Sequence, residues 1–348
     1  MVVPRPRTRT APIHRVAPSR GALHYLRRRR FVYAGLGGAL GGRARAQESP
    51  GAWPARPVRY VELFGAGGAT DIASRLWCQA MAEITGQQFV VENRVGAGGR
   101  IGTVAIARAA PDGYTIGLSG GSLLTIAPLL FANLQYDPVR DLTLISGQWR
   151  QPLMLVVNND LPARNVEELV ALLRQRPGRI MLGHPGLSTS MHLAMELFKA
   201  RTNTEFGMVP YGGPQMLTDL MAGRVDMACG LYSGLIPGVR AGQFRALAVT
   251  SPARSPGAPD IAALSETVPG FDYEAWSAVV GPAGLAPALV ERIHQLSVQA
   301  LRQPELVQRY RQVGSEPWFA GPAELAAYRA EQEAVMAPVI RAAGLRLE

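Results

Sequence analysis

Twice in this chain a glycine-rich loop lies between an apolar run and a helical pattern, and this arrangement restricts the fold more than any other feature. In the first block, Val58–Phe64 is predicted to be a buried strand, Gly65–Asp71 a loop and Ile72–Ile84 a helix. A second strand at Phe89–Val91 and a second glycine loop at Gly96–Gly99 follow, then another helix and strand. The order strand, helix, strand, helix, strand predicts a parallel sheet with right-handed crossovers.

The second block repeats the arrangement further along the chain. Strands are expected at Leu153–Val157 and Arg179–Leu182, and a loop rich in hydroxyl groups, 183–190, leads into a helix from His192. Ligands of open α/β sheets bind beyond the carboxyl ends of the strands. Two such edges that face each other would form a cleft, so the sequence predicts an α/β protein in which two units share one binding site.

The charge of the chain is concentrated at its beginning. The 348 residues carry 36 basic and 26 acidic side chains, for a net charge of +10, but residues 1–46 hold 11 arginines and no acid. The rest of the chain therefore has a net charge of −1. A nucleic-acid-binding protein needs a basic face on its folded domain, so we expect no nucleic-acid partner.

Residues 1–46 have the three parts of a secretory signal peptide. Arg27–Arg30 form a basic region, Phe31–Gly42 is an apolar stretch of 12 residues, and Ala44–Ala46 offers a small-residue cleavage site. The apolar stretch is too short for a membrane span, which takes about 20 residues. The arginine pair before Phe31 is typical of a twin-arginine signal. We therefore expect a periplasmic protein that is exported by the twin-arginine route.

Several motifs invite an enzymatic or cofactor-binding interpretation. The first glycine loop lacks the third glycine of a dinucleotide fingerprint, with Thr70 in its place. Ser188 with His192 would suit a serine hydrolase, but the strand–turn–helix motif of a nucleophilic serine is missing. His192 and Glu196 are two potential metal ligands, which do not make a site. The sequence predicts no cofactor, no metal and no catalytic residue, and it predicts that Cys78 and Cys229 are buried free thiols.

Anion binding is a simpler chemistry that fits both the loop at Gly65–Asp71 and the loop at residues 183–190. The N–H groups and the dipole at the start of a helix favour an anion, and Thr70 and Asp71 are suited to cap the first helix and hold its loop. Ser188, Thr189 and Ser190 add three hydroxyls at the start of the helix in the second block. An oxygen-rich anion such as a carboxylate suits both sites.

A series of short motifs, weak one by one, occurs in an order that resembles one family. The motifs are Arg56–Arg59, Phe64–Asp71, Val91–Gly99, Pro111–Thr115, Tyr136–Pro138, His192–Leu193 with Glu196–Phe198, Val209–Gly213, Arg245–Thr250 and Pro282–Gly284. From about residue 54 to the end, the chain resembles the Bug family, the TctC-like substrate-binding receptors of tripartite tricarboxylate transporters.

The resemblance implies a two-lobed periplasmic-binding-protein fold of type II, a Venus flytrap, in which each lobe is a mostly parallel sheet flanked by helices. We expect residues 47–151 with 277–348 to form lobe 1 and residues 152–276 to form lobe 2. The family captures small carboxylates without catalysis and delivers them to membrane transporter subunits. A monomer is expected, and a signalling receptor without transport and an exported hydrolase are the alternatives.

The resemblance also assigns candidate ligand-binding residues. These lie in the loop after the first strand, at the end of the third strand, in the loop of the second block and after the short strand that follows it. They are Phe64, Ala66, Gly67, Gly68, Thr70, Asp71, Ser119, Ser122, His184, Gly186, Ser188, Thr189, Ser190, Tyr211 and Gly212. Three positions depart from the family, which usually has proline at Gly65, often serine at His184 and a second glycine at Ser188. Two of these departures, at His184 and Ser188, fall in the loop of the second block.

Overall fold

The computed structural model describes residues 53–187, 189–211 and 215–345. The predicted signal peptide of residues 1–46 lies outside this part of the chain, as do the candidate site residues Ser188 and Gly212.

The described residues form ten strands. They are β1 (Val58–Glu62), β2 (Phe89–Asn93), β3 (Thr115–Gly120), β4 (Leu142–Val157), β5 (Met181–His184), β6 (Gly207–Pro210), β7 (Met227–Leu231), β8 (Arg245–Val249), β9 (Glu274–Pro282) and β10 (Glu316–Pro317).

Ten α-helices lie in the same part of the chain. They are α1 (Ala69–Thr85), α2 (Arg100–Ala107), α3 (Ala127–Leu130), α4 (Val166–Gln175), α5 (Ser190–Thr202), α6 (Gln215–Met221), α7 (Tyr232–Arg240), α8 (Pro287–Leu301), α9 (Pro304–Gln312) and α10 (Pro322–Ala342). A 3₁₀ turn, Ala97–Gly99, precedes α2, and a π-helical turn, Ser122–Ile126, precedes α3.

The first sheet has the parallel core that the sequence predicts. Strand β1 pairs in parallel with β2 on one side and with β3 on the other. Strand β9, which returns from near the end of the chain, pairs antiparallel with β3 and with β4. The carboxyl ends of β1 and β3 therefore open at one edge, where their loops lead into α1 and into the π-helical turn.

The second sheet is built around β5, which pairs in parallel with β6 and with β7. Strand β4 joins the two sheets. Its residues 142–152 pair with β9, and its residues 153–157 pair with β7. The sequence predicted only the last five residues of β4, because Ser146, Gly147 and Gln148 interrupt the apolar run. These three residues are nevertheless interior, with Ser146 and Gln148 fully buried.

Two helix ends are set by local sequence signals. Gly86 ends α1 in the left-handed conformation, with φ 69°, and its N–H donates to Ala82 O. Asn165 caps α4, because its Oδ1 accepts a hydrogen bond from the Glu168 N–H at 2.8 Å. The Glu168 carboxylate accepts from the Arg164 N–H instead of completing a capping box.

Candidate functional site

A cavity of about 360 Å³ lies where the carboxyl ends of the strands in both sheets meet. Both glycine-rich blocks contribute to its wall, together with residues of the central strands β4 and β9. The lining residues are Phe64, Thr70, Gly98, Leu118, Gly120, Gly121, Ser122, Leu123, Trp149, Leu187, Thr189, Ser190, Met191, Leu231, Ala275, Trp276 and Ser277.

The first wall is the loop between β1 and α1, and a buried Asp71 holds its shape. The Gly67 N–H donates to Asp71 Oδ2 at 2.9 Å, and Arg75 Nε donates to the same oxygen at 2.8 Å. Asn93 Nδ2 donates to Asp71 Oδ1 at 2.8 Å and to Phe64 O at 2.9 Å. The network ties the two ends of the loop to β2 and to the first turn of α1.

Two carboxyl groups under this loop respond to burial in opposite ways. Burial raises the pKa of Asp71, but the hydrogen bonds from Arg75, Asn93 and the Gly67 N–H outweigh it and hold the pKa below its usual value. Burial raises the pKa of Glu62, which accepts hydrogen bonds from Ser74, Thr70 and the Phe64 N–H. Asp71 therefore carries a permanent negative charge. Glu62 instead accepts a hydrogen bond from the Thr70 side chain and so fixes the position of that side chain.

The start of α1 faces the cavity through Thr70. The helix begins at Ala69, after Gly68 in extended conformation, and no described side chain caps it. The prediction that Thr70 and Asp71 cap this helix is wrong, because the Thr70 side chain bonds Glu62 and the Asp71 carboxylate accepts from the Gly67 N–H within the loop. The N–H groups of a first helical turn have no partners within the helix. This end of α1 therefore presents backbone donors and a positive dipole end at the cavity wall.

The second wall is the loop between β5 and α5, which Thr189 organises. Thr189 Oγ1 donates to Gly186 O at 2.8 Å and accepts from the His192 N–H at 3.3 Å, which makes Thr189 the N-cap of α5. Ser190 and Met191, the first residues of α5, line the cavity. A second helix start thus contributes to the same cavity.

Two stacked histidines lie behind this second loop. The rings of His184 and His192 are 4.8 Å apart and nearly parallel, and both side chains are buried. His184 Nδ1 lies 2.9 Å from Gly186 O and 3.2 Å from Gly186 N. Burial lowers the pKa of both rings, that of His192 to about 4. The pair is therefore neutral at physiological pH and supports the turn at Gly186 from the interior.

An aromatic cluster forms the floor of the cavity. Trp276 lines the cavity and packs edge-to-face on Trp318 and on Tyr328, with ring centroids 5.6 Å apart in both pairs. The Arg150 guanidinium lies over Tyr328, 4.7 Å from the ring centroid, and forms an ion pair with Glu274 at 3.0 Å. The indole of Trp276 is consequently held in one orientation.

The structure brings some of the predicted site residues to the cavity and places others behind it. Phe64, Thr70, Ser122, Thr189 and Ser190 line the cavity. The remaining described candidates are not part of the lining, and they are Ala66, Gly67, Gly68, Asp71, Ser119, His184, Gly186 and Tyr211. Asp71, Ser119 and His184 are buried side chains.

Tyr211 and residues 66–68 lie outside the lining of the cavity. The Tyr211 hydroxyl donates to Asp219 Oδ2 at 3.0 Å, on α6. Ala66, Gly67 and Gly68 are exposed to solvent at the rim of the first loop.

The sequence did not point to the floor of the cavity. Trp149, Leu231 and Trp276 lie on β4, β7 and β9. Gly98 has a local signal, because it lies in the second glycine loop, Gly96–Gly99, but it is not among the predicted site residues. Nothing in local spacing connects positions 98, 149, 231 and 276, because pairing between distant strands brings them together.

The described residues contain no group of three or more His, Cys, Asp and Glu side chains that could hold a metal ion. No helix in this part of the chain is long and apolar enough to cross a membrane. Cys78 and Cys229 are buried free thiols, as predicted.

Comparison with known proteins decides the family. Residues 73–345 match TctC, the tripartite tricarboxylate transporter family receptor. The chain belongs to this family. Protein BugT of Bordetella pertussis is 33% identical to this TctC-family chain over 306 residues, which cover 87% of the chain and 94% of BugT. The resemblance to the Bug family is thereby confirmed.

Solved structures support the same family. Rpa4515 of R. palustris with adipate superposes on this TctC-family chain with a TM-score of 0.75 at 32% identity, covering 84% of this chain and 99% of that one. MatC (Rpa3494) of Rhodopseudomonas palustris with bound malate gives a TM-score of 0.71 at 27% identity, and the match covers 83% of this chain and 100% of MatC. Structural relatives include periplasmic binding proteins. The TctC-family chain has their two-lobed α/β fold, as predicted, and is a solute-binding receptor by family.

Proposed function

We propose that this protein is a periplasmic receptor that captures a small carboxylate between two lobes and delivers it to a tripartite tricarboxylate-type transporter. The observation that carries the proposal is the meeting of two helix starts, those of α1 and α5, on one cavity with no charged side chain among its described lining residues. Backbone donors and dipole ends favour an anion there without a buried ion pair. The relatives with adipate and malate bind carboxylates, which supports the same chemistry.

The proposed lobes are residues 47–151 with 277–348 and residues 152–276. Strand β4 supports this division, because its partner changes from β9 to β7 between Pro152 and Leu153. Closure of the lobes is a hinge movement about the connecting strands, in which the ligand selects the closed state. Waters complete the contacts of the carboxylate.

The proposed partner of this protein is a membrane transporter. The family description names a receptor of tripartite transporters, which supports delivery of the ligand to transporter subunits. The protein acts as a monomer and reaches the periplasm through its twin-arginine leader. Sensing without transport is the other role that such a receptor can have, and deletion of the transporter genes separates the two, because uptake is lost only in the first case.

Thermal unfolding with a panel of carboxylates tests the proposal. A ligand at a hundred times its dissociation constant stabilises the folded protein by about 2.7 kcal/mol. For lobes of this size we expect the melting temperature to rise by roughly 5–10 °C. A protein that unfolds cooperatively and gains no stability from any acid would contradict the proposal. As a control for turnover, the acid is incubated with the protein for a prolonged period. We expect the acid to be recovered unchanged.

A further inference from the structure

We propose that the cavity prefers a carboxylate with an aromatic body, an aryl carboxylate, over hydroxylated or tricarboxylic acids. This inference rests on the proposed function and adds the chemical class of the ligand. It follows from three features of the cavity: its apolar lining, its fixed aromatic floor and a glycine that lets the backbone lie against that floor.

Away from the two helix starts the lining is mostly apolar, and of its two serines, Ser122 and Ser277, the Ser277 hydroxyl already donates to Gln148 Oε1 at 3.0 Å. Leu118, Leu123, Met191, Leu231 and Ala275 contribute to it, and none of its described residues is Asp, Glu, Lys, Arg or His. A polar group that is buried without a hydrogen-bond partner costs free energy, and a buried charge without a partner costs more. The helix starts suit the carboxylate end of a ligand, whereas the apolar part of the cavity suits a body without hydroxyls or further charges.

The floor is flat and fixed in orientation. Trp276 lies in the cavity wall and is held edge-to-face by Trp318 and Tyr328. An aromatic ring gains from offset-stacked or edge-to-face contact with an indole beyond the area that it buries. Because Trp276 is already ordered, the contact costs little side-chain entropy. The wall therefore favours a planar ring over a flexible chain of similar size.

Gly121 permits this placement of the indole. A Cβ atom at position 121 would lie 2.6 Å from Trp276 Nε1, which is too close for any side chain. The backbone of Gly121 is right-handed helical, with φ −50° and ψ −43°, so an alanine would meet no backbone strain. Position 121 requires glycine because Trp276 lies so close, and not because of its backbone conformation. Gly121 and Trp276 both line the cavity.

Calorimetric titration of the purified protein with five acids tests the preference directly. Benzoate and 3-phenylpropionate carry an aromatic ring, adipate is an aliphatic chain of comparable length, and malate and citrate are hydroxylated. We expect the better aryl acid to bind at least about tenfold more tightly than malate or citrate, and more tightly than adipate. Tighter binding of adipate, malate or citrate would overturn the inference and leave the receptor function standing. If no acid binds, both proposals fail.

The variant Gly121→Ala tests the role of the floor. Its methyl group would lie 2.6 Å from Trp276 Nε1, so the indole must leave its position in the cavity wall and affinity for the better aryl acid should fall by about tenfold or more. Gly234→Ala is the matched control, because Gly234 lies in α7 and an added Cβ would have no atom of the described residues within 4 Å. Equal affinity in the two variants would overturn the inference.

A second variant covers the case in which Gly121→Ala does not fold. Trp276→Phe keeps an aromatic ring in the wall but offers a smaller ring surface to the ligand. Thermal unfolding verifies that the variant is folded. We expect several-fold weaker binding of the aryl acid and a smaller ligand-induced change in tryptophan fluorescence than in the wild type. Unaltered affinity in a folded Trp276→Phe variant would exclude contact between the ring and Trp276.

Discussion

Asp71 does not touch the cavity, yet the shape of the first loop depends on it. Replacement by alanine removes the acceptor for the Gly67 N–H, for Arg75 and for Asn93. Hydrogen bonds to a charged group contribute about 1.5–3 kcal/mol each, so Asp71→Ala should weaken carboxylate binding by about tenfold or more in calorimetry. Glu83→Ala, at an exposed position of the same helix, is the control. Equal affinity in both variants would remove Asp71 from the binding mechanism.

The stacked histidines make stability depend on pH. Burial holds the pKa of His192 at about 4 in the folded protein, against about 6.5 in an unfolded chain. Between these values the unfolded state takes up a proton that the folded state does not. Stability is therefore complete above pH 6.5 and falls by about 3 kcal/mol as the pH decreases to 4.

Denaturant unfolding at several pH values measures this loss. His192→Gln should have a shallower decline of the unfolding free energy between pH 6.5 and 4 than the wild type. His294→Gln leaves both rings of the pair in place and should retain the wild-type decline. Parallel curves for the wild type and His192→Gln would show that the pair does not titrate in this way.

Among the secondary-structure elements, α4 is one whose start is set by a single side chain. Asn165→Ala removes the acceptor for the Glu168 N–H and should cost about 1 kcal/mol. In a protein of this size that lowers the melting temperature by about 2–4 °C. Because α4 contributes nothing to the lining of the cavity, ligand affinity should stay the same. A melting temperature equal to that of the wild type would mean that another group takes over the cap.

Elements with a local signal were predictable from the sequence, and those that depend on distant pairing were not. The parallel strands β1, β2 and β3 and the helices between them are marked by apolar runs, by glycine loops and by Gly86. Residues 142–152 of β4 and strand β9 were not predicted, because Ser146, Gly147 and Gln148 in β4 and Ser277 in β9 interrupt the apolar runs. There the buried Gln148 accepts hydrogen bonds from Tyr60 and from Ser277, on β1 and β9. A polar residue that finds its partners across a sheet cannot be distinguished from a loop residue by periodicity.

The same limit applies to the site. Thr70 and Thr189 lie at helix starts and were found from local pattern, since a cap and a glycine loop are short-range signals. Trp149 and Trp276 belong to the cavity because β4 and β9 pair with each other. Their role depends on strand register, which a single sequence does not specify at these positions.

At the scale of the whole molecule, closure about the connecting strands predicts a change in size. We expect a smaller radius of gyration in X-ray scattering when the receptor is saturated with a tightly binding acid, because the ligand selects the closed state. Gly234→Ala with the same acid should contract equally. An unchanged radius of gyration at saturation would contradict hinge closure while leaving the affinity measurements intact.

Cys78 and Cys229 are the two cysteines of the chain, and both are buried free thiols whose pKa burial raises. Thiols of this kind are poor nucleophiles, since the thiolate is the reactive form. A cysteine introduced at the rim of the cavity would therefore take up a maleimide dye selectively, with both native cysteines left in place. The protein is thus suited to become a reagentless fluorescent sensor for the acid that it binds.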